Sequence, residues 1–475
     1  MNFESIEFKR LFALNPYKSL RLKLGEMSLG KDFVVGPNGD PYPLLSKSED
    51  CDESLLRHAY CVTRGMAKRF LCRFFPYASY ELTASLACGS AGFCFTLPDA
   101  DEVTVSLTQD TLLFCSGDRE ERYPLPEWKE QNAAMTVSCR PGAFDVYFSN
   151  RGHLEHFRSF SLPSFADSHR YDRFRQGTVA VCLADGATLY AASAFIDSGI
   201  SIADPRTIRY ENGEPMYEGG KIYLTASIRL QAGSMQGVFS WIPGTAEFEL
   251  VGAIYYDSGD GKWCRDVAAS LLYHREKKRW YLWVCSFAHN HILGCADFEG
   301  DPRFGINVID IHLMNPAKEG DTFTDFVGFA GDEDPDFFWD AEIQKWRMAI
   351  CRIDPETKRY RYVFFESDQP FSGYRYVGQG LPGAETGGSF VKLDGELYFL
   401  CGNDFRAISD YRIYSKDGMV NAKFDLPDGG FRGWGTLIPV RMGSRTRLYW
   451  ITFDRHRGSD YTWSYGNLYC FEEMI

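Results

Sequence analysis

The chain of 475 residues is short of the signals that mark several common classes of protein. No run is long and apolar enough to span a bilayer, so no membrane association is expected. The opening residues, MNFESIEFKRLF, intermix acids and bases and lack the roughly 7 to 15 apolar residues of a secretory signal. Positive charge is scarce: 51 Lys and Arg stand against 64 Asp and Glu, a net charge of −13. Such a surface repels phosphate backbones, and no basic run interleaved with aromatics offsets it, so nucleic acid is not an expected partner. Closely paired cysteines are missing. The fourteen cysteines are scattered singly without a CxxC, which reads as free, mostly buried thiols of a reducing cytoplasm rather than a disulfide framework. A Gly-x-Ser-x-Gly elbow and a phosphate-binding glycine loop are absent too.

Aromatic residues, in contrast, are plentiful at 16%, within a hydrophobic share of 45%. Rings in this quantity suit packed β-sheets and, where exposed, the flat faces of sugars. The length fits two domains. After residue 200 a turn followed by an aromatic-rich strand recurs five times, at Ile222, Trp280, Trp346, Leu397 and Leu448, with starts 58, 66, 51 and 51 residues apart. A period near 50 in an all-β pattern reads as five propeller blades of about four strands each.

The first part reads differently. Residues 1 to about 60, with turns at Gly36-Pro37-Asn38-Gly39 and Asp40-Pro41, form a lead-in. From about 60 to 175, SYELTASLAC, EVTVSLTQDTLLFCS and MTVSCRPGAFDVYFSN alternate by twos, the pattern of a β-sandwich. FADSHRYDRFRQG reads as a linker, and TVAVCLADGATLYAASAF as strands that lead into or close the propeller. The expected domains are therefore 1–175 and 176–475. The strings YELTASLACGSAGFCFTL and AAMTVSCRPGAFDVYFSNRGHLEHF resemble the strand order of a concanavalin-like (laminin-G-like) jelly roll over about 100 residues. Such domains accompany many carbohydrate-active enzymes, yet a packing partner that buries one face of the propeller is the expected role here, in preference to sugar binding. The fold class is all-β: a jelly-roll β-sandwich followed by a five-bladed β-propeller.

Three repeats carry a carboxylate in an apolar or turn-like setting: Asp204 in IADPRTI, Asp334 in DEDPDFFWD and Glu385 in GAETGGSF. The innermost strand of every propeller blade runs along the axis, so equivalent positions on different blades converge. Counted back from the next repeat strand, Asp334 and Glu385 each lie 12 residues ahead, Asp266 and Trp434 each 14, and Asp204 18. Asp-Pro alone is an ordinary turn pair. Joint phase points instead to one axial pocket. Like charges crowded together raise one another's pKa, and function is the usual reason to keep them. Two carboxyl groups across a sugar, one protonated and one ionised, are what glycosidic cleavage requires.

The strings ADPRTIRYENG with GGKIYLTAS, KWCRDVAASLLYHREKKRWYLWV, EDPDFFWDAEIQKWRMAI, AETGGSFVKLDGELYFL and GWGTLIPVRMGSRTRLYWI resemble the five blades of glycoside hydrolase family 43 and its inverting relatives, from about residue 200 to 475. The resemblance implies that Asp204 is the general base, that Asp334 orients and tunes the acid, and that Glu385 is the general acid. It further implies an exo-acting hydrolase that removes arabinofuranosyl or xylosyl units from oligosaccharides with inversion, its carboxyls about 6.5 to 9.5 Å apart. The family usually has Glu-Gly-Pro or Glu-Ala-Pro where this chain has Glu385-Thr386-Gly387. It often has, in blade five, a His that holds a metal or water where this chain has Trp434. No cofactor or metal is therefore expected to be required, although a structural cation in the channel stays open. Three alternatives also stay open: a retaining fructosidase-like enzyme with Asp204 as nucleophile, a phosphorylase using Arg206, Arg265 or Arg432, and a non-catalytic carbohydrate-binding protein.

Trp263, Arg265, Asp266, His289 and Trp434 are the expected substrate contacts. Within DEDPDFFWD, the residues Asp332, Glu333, Asp336 and Asp340 read as solvated or turn positions. Asp257-Ser258-Gly259-Asp260-Gly261 reads as a hairpin turn, lacking the closing Glu of a calcium loop. His289-Asn290-His291 reads as a pocket-lining loop with no third ligand at zinc spacing. Trp280, Trp283 and Trp450 are assigned to packing between blades.

Overall fold

A computed structural model of the chain describes residues 3–14, 20–28, 44–56, 59–86, 88–125, 133–150, 153–197, 201–230, 233–314, 330–354, 356–381, 383, 385–403, 411–425, 431–454 and 467–475. The fold is all-β. It divides into two compact units, one spanning Arg21–Asp197 and the other joining Met1–Leu20 to Ser198–Ile475.

The smaller unit is built from a seven-stranded and an eight-stranded sheet. Its strands alternate as read: along Ser79–Ser85, Tyr80, Leu82 and Ala84 are buried while Glu81, Thr83 and Ser85 are partly exposed. Rings of one sheet meet rings of the other, Phe95 against Phe144 at 4.6 Å and Phe114 stacked on Phe160 at 4.1 Å.

This unit extends past the expected boundary at 175/176 to Asp197. Thr178–Ala184 lies between Ser90–Thr96 and Met66–Arg73, and Ala187–Asp197 between Ser79–Ser85 and Ala59–Arg64. The reason is burial: five consecutive residues of Thr178–Ala184 are buried, which demands cover on both faces and so a central strand. The expected linker is not one either. Its Phe165 and Phe174 are buried against Phe74, Phe144 and Phe75. The turns expected at Gly36–Gly39 and Asp40–Pro41 lie outside the described residues.

The larger unit is a five-bladed β-propeller. Its five sheets have as inner strands Ser201–Thr207, Val267–His274, Ala330–Asp340, Glu385–Leu393 and Phe431–Met442. Each gap between blades is filled by the aromatic strands that mark the repeat. Trp280 packs with Tyr223 and Ile254 between blades one and two. Trp283 and Tyr281 meet Phe337 and Met348 between two and three. Tyr362 and Phe399 fill the next gap, and Trp450 and Tyr411 the one after. Trp241 against Tyr449, at 5.1 Å, closes the circle. Blade five takes its outer strand from the other end of the chain: Glu7–Leu14 pairs antiparallel with Leu468–Met474. Ring closure thus falls to the N-terminal strand, in place of residues 178 to 197, and fully buried Phe8 fastens it beside Trp450 and Phe424.

Candidate active site

Every inner strand breaks step with its neighbour, that of blade three twice, the first time between Ala330 and Asp332. Between Ala203 and Arg206, Val267 and Ser270, Glu333 and Asp336, and Thr386 and Ser389, the inner strand holds one residue more than the strand it faces. The corresponding irregularity of blade five runs from Arg432 to Thr436. Such bulges bend a strand and re-aim a side chain. The first bulged residue has a left-handed backbone in four blades: Asp204 (φ 50°), Ala268 (58°), Asp334 (48°) and Gly387 (61°). Asp is among the few residues that tolerate this conformation.

Asp204 and Asp334 are therefore equivalent positions on blades one and three. Glu385 occupies a different place, two residues ahead of the bulge, alongside Asp266, Asp332 and Ile202 of the other blades. The phase counted from sequence is off by two because the turn 341–344 has four residues and the turn 394–395 only two.

Asp204 and Asp334 are both buried, and both act on one cation. Arg206, 3% exposed, donates from Nη1 to the Pro335 carbonyl and lies 3.7 Å from Asp336 Oδ1. Burial works to lower the Arg206 pKa, but the surrounding Asp336, Tyr362, Asp334 and Asp204 outweigh it and leave it raised. Asp334 Oδ2 also accepts bonds from Thr386 Oγ1 (2.7 Å) and the Gly387 amide (2.9 Å), which ties blade three to blade four.

One step further along the axis, Asp336 Oδ1 accepts from Ser270 Oγ (2.6 Å) and Arg209 Nη2, and Oδ2 from the Phe390 amide (2.7 Å). Arg206, Asp336, Ser389 and Thr436, from four different blades, line a space of about 10 Å³ there, so the inner strands close on one another. A larger cavity, about 440 Å³, adjoins the turns at the far end of those strands, beside Lys392, Asp394 and Arg441. It lies away from Asp204 and Asp334.

The Glu385 carboxyl is committed elsewhere. Oε1 accepts from Arg412 Nη1 (2.9 Å) and Tyr414 OH, Oε2 from the Tyr362 amide (3.3 Å), and the residue is 1% exposed. Burial, with the Glu385 charge added, pushes the Tyr414 phenol up. The equivalent Asp332 is paired in the same manner with Arg352, and Asp266 accepts from Ser286 Oγ (2.7 Å) and the Ala288 amide (3.1 Å). Burial raises the Asp266 carboxyl above its ordinary range.

Among the other expected contacts, His289 Nδ1 meets Ser286 Oγ (2.8 Å) and its Nε2 meets Ser258 Oγ (3.1 Å). Trp263 is half-buried with its ring stacked near Tyr255, and Arg265 is half-buried just ahead of blade two's inner strand. Trp434 falls in the longer irregularity of blade five, and its side chain is outside the described residues. Asp257 does cap a turn, accepting from the amides of Gly259 and Gly261 between the paired Tyr256 and Cys264.

The expectation that Asp332, Glu333, Asp336 and Asp340 are solvated is overturned, since all four are buried. Each has a partner that neutralises or bonds it: Arg352, His291, Arg209 and Arg347 respectively. Glu333 Oε1 accepts from His291 Nδ1 and Tyr360 OH, both at 2.7 Å. The bond to Glu333 raises the His291 pKa, against a lowering by burial, with Asp334 adding to the rise. Sequence reasoning missed this pair and the Arg206–Asp336 contact; the clue was the density of acids around the blade-three Asp-Pro. All fourteen cysteines are free thiols, most of them buried. Among the described residues no helix is long and apolar enough to cross a membrane, and no group of three or more His, Cys, Asp or Glu is placed to hold a metal.

No family model and no curated protein matches the chain. Solved structures do. An α-L-arabinofuranosidase from Podospora anserina in complex with cellotriose is similar with a TM-score of 0.39 and 13% identity, covering 58% of this chain and 92% of that one. A mutant levansucrase of B. subtilis has a TM-score of 0.40 and 10% identity, covering 58% and 84%. A carbohydrate-binding module from Bacillus subtilis, with 9% identity and a TM-score of 0.24, covers 33% of this chain and 92% of its own.

Proposed function

We propose that this protein is an exo-acting glycoside hydrolase that releases a terminal sugar, arabinofuranosyl or xylosyl, from oligosaccharides with inversion. One observation carries the reading: two aspartates from different blades, Asp204 and Asp334, hold the same left-handed bulge position and share the charge of Arg206. Non-glycine residues kept in that conformation, together with crowded carboxylates, are features that function maintains at the expense of stability. Asp204 takes the proton of the attacking water. Asp334, anchored by Thr386 and Gly387, orients the groups on the blade-four side. Glu385 is the proton donor, and to reach a departing oxygen its carboxyl must part from Arg412 and Tyr414. A positioned acid or base of this kind contributes about 10²- to 10⁴-fold each.

The test is a screen of pentose- and hexose-capped oligosaccharides for released monosaccharide, followed by the anomeric configuration of the first product. Release that Asp204→Ala abolishes, with an inverted product, is the expected result. A retained configuration would instead make Asp204 a nucleophile.

A second reading, a non-catalytic carbohydrate-binding protein, is favoured by the three donors that engage Glu385. Under it the wild type binds oligosaccharide and releases nothing. Phosphorolysis fits less well, because Asp204, Asp334 and Asp336 surround Arg206 and would repel phosphate.

A further inference from the structure

We infer that His291 is a specificity-determining residue of this site, which donates a hydrogen bond from Nε2 to one hydroxyl of the terminal sugar; the inference rests on the oligosaccharide reading proposed above. His291 belongs to blade two, in the connection between Arg279–Ser286 and Ile292–Phe298. Its partner Glu333 belongs to blade three and stands one residue before the bulged Asp334. The two meet on the side of Asp334 away from the constriction beside Asp336.

To reach that partner the His291 side chain has to cross blade three. Glu333 is in register with Cys351, whose thiol donates to the Glu385 carbonyl of blade four (3.1 Å). Its other partner, Tyr360, packs against the aromatic cluster between blades three and four. Paired residues of neighbouring strands point to the same face, so Glu333 faces blade four. A histidine arriving from blade two meets it by passing over the start of blade three's inner strand, where Gly331 lies against the side chain. The inner strands of a propeller line its axis, which places the ring at the mouth of the axis beside Asp334.

The residue is held firmly and one end of it is left open. Its amide donates to the Ser286 carbonyl and its carbonyl accepts from the Asp332 amide, both at 3.0 Å. Its ring meets Phe287 edge to face at 4.5 Å, and Nδ1 is bonded to Glu333. Yet the side chain is 34% exposed, and among the described residues Nε2 has no hydrogen-bond partner. His289 in the same connection is the contrast, since Ser286 and Ser258 occupy both its ring nitrogens. Asn290 and His291 each hold a left-handed backbone, φ 61°. A surface ion pair needs no such strain, whereas a fixed ligand contact is a reason to keep it. The Glu333 bond, opposed by burial and helped by Asp334, favours the protonated ring, so Nε2 has a hydrogen to donate. The same carboxylates disfavour an anionic group there, and an uncharged hydroxyl is the acceptor that suits the place.

The experiment measures binding by isothermal titration calorimetry, with Asp204→Asn as the background so that the ligand is not consumed. The probes are xylosyl- and arabinofuranosyl-capped disaccharides and their monodeoxy analogues. His291→Asn tolerates the left-handed backbone but falls short of the sugar, and His291→Gln restores part of the reach. The unmodified sugar is expected to bind the asparagine variant about 10- to 100-fold more weakly. Removing one particular hydroxyl should weaken binding to the His291 protein by a similar factor and leave the asparagine variant indifferent, with glutamine in between. Thermal unfolding checks that each variant is folded, and the glutamine variant carries the comparison if the asparagine one is not. A folded variant that binds the unmodified sugar as the His291 protein does, or that still responds to every hydroxyl, overturns the inference. So does a protein that binds none of these sugars. Hydroxyl-selective binding with no release by the wild type sinks the hydrolysis reading alone, and the deoxy comparison still judges His291.

Discussion

Replacing Asp334 with Asn removes a charge while leaving the shape of the bulge alone. Asn tolerates the left-handed backbone as Asp does, so the 48° φ persists. The amide oxygen can still accept from the fixed Gly387 amide or from the rotatable Thr386 hydroxyl. Hydrogen bonds to a charged group contribute about 1.5 to 3 kcal/mol and neutral ones about 0.5 to 1.5, so weakening two bonds destabilises the fold by about 1 to 3 kcal/mol. Asp334→Ala behaves differently. It leaves both buried donors unmatched at about 1 to 3 kcal/mol each and puts a Cβ-bearing residue without a polar side chain at positive φ, about 1 to 2 kcal/mol more. The alanine variant should therefore be the less stable of the two, by urea denaturation followed by far-UV circular dichroism. Activity should separate from stability: Asp334→Asn is expected to lower kcat/KM about 10²-fold or more while most molecules stay folded. An asparagine variant with wild-type kcat/KM, or one whose loss only tracks its unfolded fraction, would refute a role for the Asp334 charge in chemistry.

Three further outcomes are expected. Glu385→Ala should lose release from unactivated oligosaccharides about 10²- to 10⁴-fold and far less from nitrophenyl glycosides, whose leaving group needs little help from an acid; equal losses on both would reassign the proton donor. Glu333→Gln should be destabilised in a pH-dependent way. Because Glu333 raises His291 above its ordinary 6.5, the stability from that pair is fully present below that value and is lost as pH rises through the raised one. The gap in Tm between variant and wild type should accordingly be widest in mildly acidic buffer and narrow in alkaline buffer, and a constant gap would contradict the pairing. Phe8→Ala, at a fully buried ring that fastens the closing strand, should cost about 3 to 5 kcal/mol in denaturant unfolding.

The five blades are legible in the sequence because each gap in the ring must be filled by large apolar side chains at a repeated place, and Trp280, Trp283, Tyr362, Phe399 and Trp450 serve that need locally. Ring closure is not legible in the same manner. The pairing of Lys9 with Glu472 spans almost the whole chain, and nothing in the composition of Glu7–Leu14 distinguishes a fifth-blade outer strand from any other edge. Asp204 and Asp334 stand out because Asp-Pro inside an apolar strand is rare enough to notice. The direction of Glu385 does not, because a side chain's aim depends on its register against the bulge. That register shifts whenever a neighbouring turn gains or loses two residues, as 341–344 and 394–395 do.

The same reasoning accounts for Glu333 and Asp336, which read on paper as solvated or turn positions, and for Arg206, which stands out there only as one of three arginines a phosphorylase could use. Their meaning is set by what four other strands bring to the axis. A charge on one blade acquires a role only when its partners arrive from blades more than a hundred residues away, as Asp336 does to Arg206 and Arg209. In this propeller the repeat announces where the axis is, and the departures from the repeat at Arg206 and at the two bulged aspartates are where chemistry should be sought.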